Sequence, residues 1–191
     1  MTTFVLFQQS KFNSSTLLRS LSYSVALSVR QAQVYGTSVR GLLSGGSTTF
    51  GSGYGVQFPA AGAVPYQYYL FADSAGGDGQ RASNGSEDAI PPSPFTIGRG
   101  YTVSRLCVRV GQGAVNCTPT TLTVFFRRPN PEACISTNLA PTACAAQAVP
   151  VYSSAYIEIK SSGNTDTRTI KVVDSGQIAI CKPNITDLTQ C

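Results

Sequence analysis

Ser14–Arg40 reads SSTLLRSLSYSVALSVRQAQVYGTSVR, and its spacing sets the architecture expected of the whole chain. Apolar or small residues recur at Leu18, Leu21, Val25, Val29, Ala32, Gly36 and Val39, three or four positions apart, which is one face of a helix. The opposite side carries Arg19, Ser20, Ser24, Arg30, Gln31, Ser38 and Arg40, with no acidic residue among them. Ser14 or Ser15 provides an N-cap, and Gly41 stands where a C-terminal glycine is wanted. Upstream, Phe4 and Phe7 of MTTFVLFQQSKF continue the helix backwards from Leu18. Such a helix packs on a sheet through its apolar stripe.

Beyond the helix, GLLSGGSTTFGSG is a glycine–serine connector, and short strands separated by turns come after it. Strands are expected at residues 54–58, 66–72, 95–97, 101–110 and 122–127, then at 155–160, 168–173 and 177–181. In YIEIK and RTIKVV the alternation buries one face and wets the other. Residues 73–94 and 134–150 read as irregular stretches. The expected class is α+β, an N-terminal helix packed on antiparallel sheets. Residues 1–41 form the helical part and 42–191 a β-rich head.

Six cysteines fall in three pairs ten positions apart: Cys107 and Cys117, Cys134 and Cys144, Cys181 and Cys191. Six cysteines allow fifteen pairings, and sequence does not choose among them. Pairing between neighbours is the favoured expectation because each pair brackets a turn-like segment. A tight turn at Gly111, Gln112 and Gly113 folds Val110 opposite Ala114 and sets Cys107 across from Cys117. Three disulfides imply an oxidising compartment.

Charged residues are 12% of the chain, about half the usual share, and serine and threonine fill the gap. That texture fits a secreted or surface protein better than a cytosolic enzyme. Histidine is absent, which removes the commonest general base and the commonest zinc ligand. There is no GxSxG and no paired-carboxylate motif, so neither enzymatic activity nor a cofactor is expected. Asp73 and Asp78 form a weak candidate for a cation, without the EF-hand spacing. The net charge of +5 raises nucleic acid as a partner, with Arg127 and Arg128 as possible contacts, but the arginines are sparse.

A resemblance covers most of the chain in order. ALSVRQAQVYGTSVR at Ala26–Arg40 resembles the helix-ending segment of type IV pilin-like proteins, especially minor pilins and H-type pseudopilins. YGVQF and YYLFAD, at Tyr54–Phe58 and Tyr68–Asp73, are similar to the segments that come next in that family. So are TVFFRRPNPEA at Thr123–Ala133 and RTIKVVDSGQIAI at Arg168–Ile180. The resemblance implies a structural subunit of an extracellular pilus-like or secretion-pseudopilus filament in a prokaryote. Its partners are other pilin-like subunits, of the same or another kind. It also implies an inner-membrane stage before assembly, held by a hydrophobic N-terminal segment. The family's usual start is missing, and MTTFVLFQQSKF resembles the piece after it, so the expected chain is a truncated subunit without leader or most of the hydrophobic helix. Two alternatives stand beside this one: a DNA-binding minor pilin serving uptake or adhesion, and a free secreted recognition domain.

Overall fold

A computed structural model describes residues 2–38, 41–44, 47–50, 52–59, 66–73, 78–81, 88–144, 151–163 and 166–191. Within it the side chains of 2–13, 42–44, 47–49, 88–89 and 142–143 are not described. Helix α1 runs Thr2–Thr37, 36 residues. Thirteen strands come after it among the described residues: β1 Leu42–Ser44, β2 Ser47–Thr49, β3 Gly53–Pro59, β4 Gln67–Asp73, β5 Asp88–Ala89, β6 Phe95–Thr96, β7 Thr102–Arg109, β8 Val115–Asn116, β9 Thr121–Phe126, β10 Ala133–Thr137, β11 Ser154–Lys160, β12 Thr167–Val173 and β13 Ile178–Ile180. Two short 3-10 turns, Pro141–Cys144 and Leu188–Gln190, complete the elements.

Every pairing is antiparallel. Strands β1 and β2 form a small hairpin, and the rest divide into two sheets. The six-stranded sheet has the order β10-β9-β3-β4-β5, with β6 also on β4; the five-stranded sheet has the order β13-β12-β11-β7-β8. The period-2 pattern explains why each sheet turns one face to a shared core. Tyr54, Val56 and Phe58 of β3 and Leu122, Val124 and Phe126 of β9 enter it from one sheet. Ala155, Ile157 and Ile159 of β11 and Ile170 and Val172 of β12 enter it from the other. Leu18, Val25, Val29 and Ala32 of α1 are buried in the same core, so one helix serves both sheets.

The expected α+β, pilin-like class is corrected by this arrangement. The molecule is mostly sheet, one helix against two main antiparallel sheets, stapled by three disulfides. Part of the strand content lies in stretches that read as irregular. Residues 133–137 form β10, pairing with β9 from Ala133↔Phe126 to Thr137↔Leu122. Its inward residues are Ala133, Ile135 and Thr137, a weakly apolar alternation that only the neighbouring β9 makes favourable. Strands β5 and β8 are two residues each, below what a sequence pattern resolves.

Polar groups tie the three layers together. Gln33, buried on α1, donates from Nε2 to the Pro131 carbonyl at 2.9 Å and to the Gly176 carbonyl at 3.0 Å. Pro131 leads into β10, and Gly176 lies in the turn between β12 and β13, so one amide joins the helix to both sheets. Gly176 has φ +84°, and a Cβ there would lie 2.2 Å from the Pro131 oxygen. A side chain is excluded twice over, by conformation and by space. Higher on the helix, Ser28 Oγ and Tyr68 Oη are 3.0 Å apart in the interior, and burial pushes the Tyr68 phenol above its ordinary range.

Candidate interaction surface

The side of α1 turned away from the core is not uniformly polar. Tyr23, Leu27 and Val34 are 50%, 66% and 54% exposed, at positions i, i+4 and i+11 of one stripe. Arg19 and Arg30 flank them, also exposed, and the Arg19 guanidinium lies 5.9 Å from the Tyr23 ring centre. Periodicity alone assigns the arginines and serines to this side and passes over the three apolar residues. Their spacing is the available signal, masked by the stronger stripe at Leu18, Val25, Val29 and Ala32.

Beside this stripe runs β13. Its partner β12 pairs Ile170 with Ile180 and Val172 with Ile178, so both isoleucines face the helix side of the sheet. Tyr23, Ala26, Leu27 and Arg30 form one wall of a groove of about 530 Å³, and Gln177, Ile178 and Ile180 form the other. Among these described residues there is one cation and no carboxylate. Arg30 donates to Gln33 Oε1, which orients its guanidinium along the helix.

Among the described residues, strand β13 is also the outer edge of its sheet. The Val173 amide donates to the Gln177 carbonyl at 2.9 Å, and the Cys181 amide donates to the Thr169 carbonyl at 2.9 Å. By the alternation of an antiparallel ladder, Ala179 turns its backbone groups to Lys171. Ile178 and Ile180 therefore turn theirs outward, away from the sheet.

No protein-family model, curated protein or solved structure matches this chain. Its chemistry is read from its own residues.

Leu18, Val25, Val29 and Ala32 are buried and Leu21 is half-buried against the core. The side chains of Phe4 and Phe7 lie outside the described residues, as does Val39. The disulfides join Cys107 to Cys117, Cys134 to Cys144 and Cys181 to Cys191. Asp73 is buried; its Oδ2 accepts from the Gly79 amide at 2.8 Å and faces Arg127 at 3.5 Å. Asp78 is exposed and accepts from the Gln80 amide. The two carboxylates thus hold backbone, and among the described residues no three His, Cys, Asp or Glu side chains gather as a metal site. Arg127 also lies over the Phe125 ring at 5.2 Å, and Arg128 donates to the Phe50 carbonyl. Both arginines named as nucleic-acid contacts are thereby engaged within the fold. Among the described residues no helix is long and apolar enough to cross a membrane.

Proposed function

We propose that this chain is a structural subunit of an extracellular, cell-surface filament of a prokaryote, of the pilus-like or secretion-pseudopilus kind. The observation that carries the reading is the two-sided helix. One stripe of α1 is buried in the head, while Tyr23, Leu27 and Val34 leave a second apolar stripe open to a neighbour. An element of 36 residues is roughly 54 Å long at 1.5 Å per residue, enough to serve a head and an assembly partner at once. Burial of apolar surface at about 25 cal/mol per Å² favours such bundling as subunits accumulate. The order of the segments from Ala26 to Ile180 that resemble pilin-like proteins supports the same reading. Three disulfides and a lightly charged surface suit a head that works outside the cell.

The test is the intact mass and N-terminal sequence of the native protein in the sheared surface fraction of its source cell. Recovery with filaments is the expected result. A soluble protein never found with filaments would overturn the reading in favour of a free recognition domain.

A further inference from the structure

We propose that the free edge of β13 pairs with β13 of a second copy of this chain, antiparallel about a twofold axis through Ala179. The pairing rests on the assembly reading above for its setting, and it names the occupant of the groove. The edge exposes two backbone units, those of Ile178 and Ile180, spaced by two residues with Ala179 between them. A twofold axis at Ala179 sets Ile178 opposite Ile180 of the second copy, and Ile180 opposite Ile178. Each of these is a hydrogen-bonded antiparallel pair, so every outward N–H meets a carbonyl and four bonds form. An edge that satisfies its own donors and acceptors under a twofold rotation is isologous by construction.

The side chains obey the same symmetry. Ile178 and Ile180 face the helix side, so the added strand's isoleucines fall on that side too. They arrive beside Leu27 and Tyr23, the most exposed apolar residues of the groove wall. The wall carries a single cation and no carboxylate among its described residues, so it offers no charge pattern to select a foreign acidic or basic segment. The joined sheets would run β8-β7-β11-β12-β13 into the same order reversed, closing two open edges.

The experiment uses the full chain with Ala179→Cys. In a non-hydrogen-bonded antiparallel pair the facing Cα atoms are about 4.5 Å apart, and a disulfide spans about 4.4–6.8 Å. Mild oxidation is expected to yield a covalent species of twice 20.1 kDa, joined at position 179 and with the three native disulfides intact by peptide mapping. Lys171→Cys, one strand further in and opposite Ala179, is expected to pair without cross-linking. In the Ala179→Cys background, Ile178→Pro removes one outward N–H without touching the bonds to β12, and is expected to cut cross-linking at least tenfold. Leu27→Glu, on a side chain 66% exposed, is expected to do the same. Cross-linking no faster than the Lys171→Cys control, or unchanged by both Ile178→Pro and Leu27→Glu, overturns the pairing. Filaments built from protein that never cross-links at 179 would end this inference and leave the filament reading standing. Efficient cross-linking in protein absent from filaments would do the reverse.

Discussion

On the outer face of the six-stranded sheet, Phe71 of β4 and Phe125 of β9 stack 6.5 Å apart beneath Cys134–Cys144. On the outer face of the five-stranded sheet, Tyr156 of β11 lies against Cys107–Cys117 and Leu188 of the C-terminal tail, whose end is closed by Cys181–Cys191. Each sheet therefore has a small second core on its far side, roofed by irregular chain and fixed by disulfides. The roofs differ in what else holds them. The first is a segment between two strands, and buried Asp73 grips its neighbour Gly79 through the amide. The second is a terminus with Ile185 and Leu188 as its apolar anchors, and its polar contacts at Asp187 lie at the surface. All three disulfides close segments of separation 10. In the chain-entropy model they constrain the unfolded chain equally, so unequal losses on removal would report the native roofs.

The largest effect is expected inside the first small core. Phe125→Ala should cost about 4 kcal/mol in denaturant unfolding, through lost burial and the cavity left under the disulfide. A loss under about 2 kcal/mol would mean the roof collapses onto Phe71 and is less rigid than its contacts imply. Next come the disulfides themselves. Replacing Cys134 and Cys144 by alanine together should lower global stability by about 3 kcal/mol. Replacing Cys181 and Cys191 should lower it by about 1 kcal/mol, because the tail can detach without unfolding the sheets. Equal losses would mean that the two roofs are held alike.

A single-residue change tests the grip on the first roof. Gly79 has φ +74°, and a Cβ there would lie 2.4 Å from Cys144 Cβ. Gly79→Ala should cost about 2 kcal/mol from the left-handed backbone and the displaced cystine. Thermal unfolding of the variant checks this. The least change belongs to the tail. The Asp187 carboxyl is held below its usual 3.8, first by the Thr189 hydroxyl and then by the Thr189 amide. A depressed acid stabilises its folded surroundings above its unfolded value and loses that contribution as pH falls through its folded one. The Thr189 amide and the Leu188 methyl resonances should therefore begin to shift below pH 3.8. Tail resonances that stay constant while the Asp187 carboxyl itself becomes protonated would show that its bonds to Thr189 contribute nothing to the order of the tail.

Much of this protein can be read along the chain. The stripe through Leu18, Val25, Val29 and Ala32 marks the buried side of α1, and YIEIK and RTIKVV mark β11 and β12 with their inward faces. The turn at Gly111–Gly113 foretells that Cys107 meets Cys117. What could not be read is who faces whom. Gln33 looks like any polar helix residue, since the carbonyls it binds lie 98 and 143 positions away. Phe71 and Phe125 look like ordinary core residues, yet they point away from the main core into a second one. Tyr23 and Leu27 belong to an apolar stripe that none of the described residues covers, and the openness of β13 depends on which strands lie beside it. Periodicity and spacing are local, so the order of residues settled which side of each element is apolar and favoured pairing between neighbouring cysteines. The partner opposite that side is set by pairings between distant segments. Only the folded molecule could therefore decide that one helix fills two sheets and leaves a groove beside a free edge.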